Sequence, residues 1–591
     1  MGPSKTFRKY DNSPPPPYST SDPAVGPSFN ARPLPPRRYY TNPAAAARRG
    51  ERTPLLVHRQ PTVIVQQSAP TPVIISSYEG ACDELFFVFF VFFVFFVLAL
   101  IAFLVGILSG LFYHPSLTPL APPPVYNVAI IGAGPAGIAA AQYLRSSPAA
   151  QEVQFNITIF ESSPVIGGVL AIHDSNGDPI FPNDDPTQGQ ITAEDITGTA
   201  LMWQNALFTR DSENLLGDEV TFTELGTQRV GYYNQAQTVA SSVRPYSKLP
   251  LTTWAGLLWT YGTSLHRAAR FNGDGNLREK MLKAPITTDI EKIFSSLGVL
   301  EHLQQWANTM LKKSGISDKY ASEILEPQTQ RAFGQGLSRL TGFAAMLAAA
   351  QEDSANAYTG GHMIERLEQI VHKIEVPVRT STRVTRIDYD SGEKQWDIQY
   401  KSKGETSTET FDKVILTALN LGIRLEDSET GVHNLSASHE AEFNDKAEPL
   451  EDDYFVSVYV TFFTTPAKLS AWGDHDQVLF IKGSVVAEEI TLVRETTSHM
   501  DTQYLYRVLS YFPVLDELRD FYDVLWGYET RIMNWQPARY PLFRMPSFEW
   551  PMAKGLWWSS VIQHAWSTVD LNWLAGKAVA DGLVKEVLDG K

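Results

Sequence analysis

Three glycines at fixed spacing, Gly132, Gly134 and Gly137, stand directly after the apolar run Val125–Ile131, with Pro135 and Ala136 between the last two. This order reads as strand, turn and helix, and each glycine has its own task. Gly132 permits the tight turn, Gly134 lets the backbone approach a pyrophosphate, and Gly137 lets helix and strand pack closely. The helix N-terminus adds partial positive charge and free N–H groups, which suit phosphate oxygens. A second apolar run, Ile157–Phe160, ends in Glu161, 24 residues after Gly137. A carboxylate there is placed to accept both hydroxyls of an adenosine ribose; the alternative is a solvated strand end. Strand, glycines, helix, strand and acid in that order predict a dinucleotide site on a Rossmann-type α/β fold.

Paired glycines follow at Gly167-Gly168. The pattern resembles the amine-oxidase-like and prenylcysteine-oxidase-like flavoproteins, where this loop also approaches the pyrophosphate, and it implies FAD rather than NAD. That group usually carries arginine next; here Val169 stands instead, which removes one cation from the phosphates. Further on, Phe333-Gly334-Gln335, the apolar stretch Phe343–Ala350 and the run from Tyr358 through Gly360-Gly361 to Met363 are similar to the centre of the prenylcysteine oxidases (prenylcysteine lyases). Residues 364–375 then read as a helix, and Val384–Ile387 and Lys413–Thr417 as strands. The resemblance implies that the backbone around Val384 meets the adenine. Gly555–Gly582 resembles the closing FAD motif, with Ser567 and Thr568 as N-caps of a helix from Val569 to Leu588 and Asp570 favouring its first turn. The similarity spans about residues 125–590. It is strongest at 125–170, 325–420 and 555–582, and the glycine pair expected after Glu194 appears only as Thr197-Gly198-Thr199.

The resemblance implies a thioether oxidase that uses FAD and O₂ to cleave a prenylcysteine-like small molecule to prenyl aldehyde, cysteine and peroxide. No catalytic side chain can be named. His173, His362 and His564 lie near cofactor motifs but read as structural or surface residues. The Trp-rich stretch Pro250–Leu265 either lines an apolar tunnel or packs in the core, and the same choice holds for Trp557 and Trp558. Two other function classes stay open. One is an amine or polyamine oxidase, which would want an aromatic cage for the substrate nitrogen; the other is a non-catalytic membrane adaptor.

These residues must be positioned by a chain of 591 residues with net charge −16. Residues 1–84 carry ten basic and six acidic side chains, so the remainder carries −20, which argues against nucleic acid as a partner. The one cysteine, Cys82, precedes the folded part. Cysteine catalysis, disulfides and thiolate metal sites are therefore excluded there, and no metal is expected. Residues 1–84 are Pro- and Ser-rich without apolar periodicity, and read as a disordered head. Residues 85–113 form 29 positions without a charge, against about 20 needed to cross a bilayer. Basic residues upstream predict a cytosolic head, a type II anchor and a lumenal enzyme domain. That domain divides into an FAD-binding part at 125–200, a mainly helical substrate part at 201–330, a central FAD part at 331–425, a substrate part at 426–554 and the C-terminal motif at 555–591. Together they give an amine-oxidase-like FAD domain interleaved with an α+β substrate domain.

Three short signals mark the head. Pro15-Pro16-Pro17-Tyr18 matches the ligand of WW domains, as found on ubiquitin ligases, and Pro33-x-x-Pro36-x-Arg38 an SH3 ligand. Glu51 with Leu55-Leu56 resembles an acidic dileucine signal read by sorting adaptors. They point to a vacuolar or lysosomal membrane. Asn434 is expected to be glycosylated, and Asn156, opening a buried strand, is not.

Overall fold

A computed structural model describes residues 93–103 and most of 123–590. Within the latter, the longest stretches not described are 192–205, 435–454, 536–550 and 561–567. The chain divides into two units, Met1–Ser116 and Leu117–Lys591. In the first, residues 93–103 are helical and their aromatic side chains are exposed. Among the described residues no helix is long and apolar enough to cross a membrane. The rest of the expected span 85–113, and the whole head with its WW, SH3 and dileucine motifs, lie outside the described residues.

The second unit is built on a six-stranded sheet. Strand β1 (Val125–Ile131) leads through the glycine turn into helix α1 (Pro135–Ser146), and β2 (Gln154–Phe160) returns parallel to β1. Helix α2 (Ala206–Leu216) follows, and the sheet is completed by β3 (Val378–Arg379), β4 (Lys413–Leu416), β5 (Pro551–Ala553) and β6 (Leu556–Trp558). The spatial order is β5-β6-β4-β1-β2-β3, all neighbours parallel except β5 and β6. Strands β1 and β4 are apolar on both faces because helices and a second sheet cover them. The last helix, α3 (Val569–Asp589), packs against α1.

A five-stranded sheet holds Thr382–Asp390, which carries Val384. A seven-stranded sheet joins the two parts expected to form a substrate domain. Its order runs Trp526–Trp535, Phe455–Thr465, Asp501–Ser510, Ala487–Ser498, Gln477–Phe480, Gln228–Asn234 and Gln237–Arg244. The part expected to be mainly helical, 201–330, therefore also supplies two strands to a sheet completed more than 200 residues later. The helix Gly342–Ala350, apolar all round, is buried among neighbouring helices.

Candidate functional site

The turn after β1 is shaped by what surrounds each glycine. Gly132 has φ +110, and a Cβ there would meet Thr417 Oγ1 at 2.5 Å. Thr417, just past β4, donates to the Ile131 carbonyl at 2.8 Å and so clamps the end of β1. At Gly137 a Cβ would lie 2.0 Å from the Gly132 carbonyl oxygen, so close packing of α1 on the turn requires glycine. Gly134 differs: its nearest neighbour to a Cβ is Gly168 Cα at 3.8 Å, an ordinary contact. Packing does not demand glycine there, so the space over Gly134 is free for a ligand. Pro135 occupies the first position of α1, where its missing N–H costs nothing. The second loop lies against the first. Gly167 and Gly168 both have positive φ, and the Gly167 N–H donates to the Ala133 carbonyl at 2.9 Å.

Glu161 is buried at 6% exposure. Its Oε2 accepts the Ala133 N–H at 2.8 Å and its Oε1 the Ser163 N–H at 2.8 Å. Oε1 also accepts the Ser162 hydroxyl at 3.4 Å, so Oε2 is the oxygen that keeps a lone pair for a further donor such as a ribose hydroxyl. The strand carrying Val384 is tied to this corner: the Thr382 N–H donates to the Glu161 carbonyl and Ser381 N–H to the Ser163 carbonyl, both at 2.8 Å. The Val384 side chain itself is buried in the core formed with Ile131 and Phe160. Only its backbone is therefore available to an adenine. Val169 sits in the short 3-10 turn Gly168–Leu170.

Thr568 caps α3, its hydroxyl accepting the Leu571 N–H, while Ser567 lies outside the described residues. Asp570 does more than favour the first turn of its own helix. It is 1% exposed and accepts the N–H groups of Leu207 and Phe208 at 3.2 and 3.1 Å, capping α2 instead. One turn along α2, Asp211 Oδ2 accepts from Lys577 Nζ at 2.7 Å and Trp573 Nε1 at 3.0 Å. Burial alone would raise the Asp211 pKa, but Lys577, Arg210 and the indole N–H outweigh it and hold the carboxyl below its usual 3.8. Gly576 lets α3 reach α1, since a Cβ there would lie 2.0 Å from the Ala136 carbonyl oxygen. A glycine inside an apolar helix was the one sequence signal for this contact, because glycine there is costly without a packing reason.

Facing this core, the inner surface of the substrate-domain sheet carries a buried polar layer. Arg507 pairs with Glu489 at 2.6 Å, both nearly inaccessible to water. Gln477 donates to Glu489 at 2.6 Å and accepts from Arg244 at 2.6 Å. Gln328, on the helix Glu326–Phe333, donates to the hydroxyls of Tyr232 and Tyr246. The amide oxygens of Gln328, Gln330 and Gln335, and Glu489 Oε2, are buried acceptors to which no donor among the described residues is directed. The Tyr511 hydroxyl donates to the Gly334 carbonyl at 3.0 Å, and burial pushes its pKa up.

Other expected residues fall elsewhere. The Trp557 indole donates to Glu586 at 2.9 Å and packs on Gly582, a place in the core. Pro250–Leu265 neither lines a tunnel nor fills the core: it breaks at Gly262 into two helices, and Leu251–Tyr261 buries only Leu257 and Tyr261. His173 and His564 lie outside the described residues; His362 opens the helix His362–Lys373.

The residues fit FAD. The two glycine loops, joined backbone to backbone, leave a cradle over Gly134 for a pyrophosphate, and Glu161 closes the ribose end. At the carboxyl end of β6, where open α/β sheets place their ligands, Ser560 Oγ is fully buried with no partner among the described residues.

A family model described as an NAD(P)-binding Rossmann-like domain matches residues 130–187, and one described as prenylcysteine lyase matches 246–589. Prenylcysteine oxidase 1 of Bos taurus is 26% identical over 333 residues, a match spanning 53% of this chain and 59% of the relative's length. Solved structures of putrescine oxidase, a triple variant and the wild type bound to putrescine, align with TM-scores of 0.48 and 0.47. Their identities are 13% and 12%, over 78% of this chain and 100% of theirs. The cofactor indicated by the Rossmann-like match and the family together is FAD, and the family is one of FAD-dependent oxidoreductases. With the lyase model covering more than half of the sequence, from the substrate-domain helices to α3, the chain belongs to the prenylcysteine lyase family.

Proposed function

We propose that the chain is an FAD-dependent thioether oxidase acting on S-prenylcysteine. The observation that carries this reading is the family match over 246–589, because that range includes most helices and strands of the expected substrate domain as well as the closing FAD motif. Bound FAD would take hydride from the carbon beside sulfur and pass two electrons to O₂, giving hydrogen peroxide. Water supplies the aldehyde oxygen, and cysteine leaves as the thiol, so substrate, O₂ and water balance aldehyde, cysteine and peroxide. The protein's part is orientation and exclusion of water. The apolar helix Gly342–Ala350 and the inner sheet face supply the dry wall. The buried amide oxygens of Gln330 and Gln335 suit an ammonium group such as that of the cysteine head.

Purified chain incubated with S-farnesylcysteine and O₂ should release farnesal, cysteine and peroxide in equal amounts. Deuterium at the carbon beside sulfur should slow flavin reduction. Reduction by spermine with none by any prenylcysteine would overturn the substrate and leave the cofactor site standing.

The reading extends to location. The uncharged stretch 85–113 supports a single-pass type II anchor with the enzyme domain lumenal, and the dileucine-like Leu55-Leu56 supports a vacuolar or lysosomal membrane. Leu55→Ala/Leu56→Ala should strand the protein at the Golgi or cell surface.

A further inference from the structure

The helix Leu251–Tyr261 carries its apolar residues on the wrong side for a core helix. Leu251, Trp254, Ala255, Leu258 and Trp259 recur at the 3–4 residue spacing of one helical face. That face points outward: Trp259 is 93% exposed, Leu251 79% and Trp254 44%. One flank of the helix is firmly seated, while Thr252, Gly256 and Thr260 are exposed like the stripe. Leu257 is buried, and Tyr261 stacks edge-on with Tyr320, donates to Glu323 and lies under Lys319. The helix is therefore fixed in place while it presents an indole stripe to its surroundings. Tryptophans in such a stripe are enriched where an apolar body meets a wet, charged boundary.

The surrounding charge supports one occupant. The unit is strongly acidic overall, yet residues 248–283 carry Lys248, Arg267, Arg270, Arg278, Lys280 and Lys283 against only Asp274 and Glu279. In the next helix, Ser264–Asn272, Arg270 and Arg267, whose guanidinium also donates to the Gly315 carbonyl, line a cleft of about 410 Å³ together with Phe271, Val299 and Met346. A cationic rim over an apolar floor, beside an exposed Trp stripe, matches an anionic lipid headgroup with the start of its acyl chains. The anchor proposed above, ending at Tyr113, leaves eleven residues before β1, at most about 40 Å of extended chain.

We propose that Leu251–Tyr261 is an interfacial docking helix that lies in the surface of a bilayer, with Arg267 and Arg270 holding an anionic headgroup beside it. This goes beyond the proposed reaction and rests on membrane association of the chain. Cys82 is the one cysteine, so a spin label can be placed cleanly. The full chain carrying Cys82→Ser and Trp259→Cys is labelled and reconstituted in vesicles of phosphatidylcholine with phosphatidylserine. The matched control carries Cys82→Ser and Thr406→Cys, an exposed position on the hairpin strand Glu405–Phe411. The label at 259 should become rich in oxygen collisions and poor in collisions with a water-soluble nickel chelate, at a depth of about 5–10 Å. Phosphatidylserine should deepen it, and Arg267→Gln/Arg270→Gln should remove that lipid dependence. Nickel accessibility equal to that of the control overturns the proposal. So does spin–spin broadening at 259 that vanishes on dilution with unlabelled chain, which would mean a second copy covers the stripe. A depth indifferent to phosphatidylserine overturns the headgroup seat. Retention in the pellet after alkaline carbonate reports the anchor separately, and flavin reduction by S-farnesylcysteine reports the reaction, so the three readings fail independently.

Discussion

Gly134 and Gly137 are three residues apart and both glycine, yet they answer to different demands. At Gly137 a Cβ has no room beside the Gly132 carbonyl, so Gly137→Ala should abolish soluble expression whether or not flavin is present. At Gly134 the protein offers room and the ligand would not. Gly134→Ala should therefore fold, with an apo melting temperature near that of the parent, and purify with little or no yellow absorbance. Full flavin content in Gly134→Ala would refute the placement of the pyrophosphate. Glu161 presents a third case, because its carboxylate holds the Ala133 and Ser163 amides before any ligand arrives. Gln in its place can still accept one of them and offers an N–H where the other must be accepted. Glu161→Gln should weaken FAD retention in gel filtration and also lower apo stability by about 1–2 kcal/mol, the cost of a buried group left unsatisfied.

Helices α2 and α3 are held together by side chains rather than by apolar contact alone. Asp570 caps α2 from outside its own helix, and Asp570→Ala should cost about 1–2 kcal/mol in chemical denaturation. Asp211 is the stronger tie. Its pKa in the folded chain lies below its unfolded value, so its contribution is complete above about pH 4 and is lost as pH falls through the lower folded value. An acidic organelle would leave the tie intact. Asp211→Asn strands the Lys577 charge at 16% exposure and should cost about 3 kcal/mol at neutral pH. It should also flatten the loss of stability below pH 4, and an unchanged acid transition would remove Asp211 from that role.

Local patterns in the sequence carried much of the fold. The glycine turn and its flanking strand have the bounds 125–131 in both readings, and the capped helix after Thr568 ends within one residue of expectation. Such features are read from spacing and cap chemistry, which act over a few residues. The ties between distant parts were not legible: Asp570 reaches Phe208 across 362 positions, and no period links them. Nor could composition tell a core-facing apolar stripe from an outward one, which is why Leu251–Tyr261 was assigned to tunnel or core. Asn156 opens a strand that is buried from Ile157 on, as expected, but its own side chain is exposed and donates to Asn127. Glycosidase treatment of protein made in a secretory host should show whether a regular strand alone protects it. Asn434, at the end of the strand Gly431–Asn434, should carry the glycan; a wild-type chain unaffected by the enzyme would count against a lumenal domain.

The close meeting of Gly576 with Ala136 also bears on the order in which the protein is made. Helix α1 emerges from the ribosome well before its partner α3, with residues 147–568 translated between them. At about 5–20 residues per second, the surface of α1 that α3 covers waits tens of seconds for it. During that interval the glycine turn has no backing, and β1 lacks β4 while Lys413–Leu416 is still being synthesised. The cofactor site is therefore completed only once α3 has been made, and a premature stop a few codons upstream of Val569 would be as damaging as one near the middle. Ribosome-bound chains halted just before α3 should be open to protease at α1, and release of the full chain should close it.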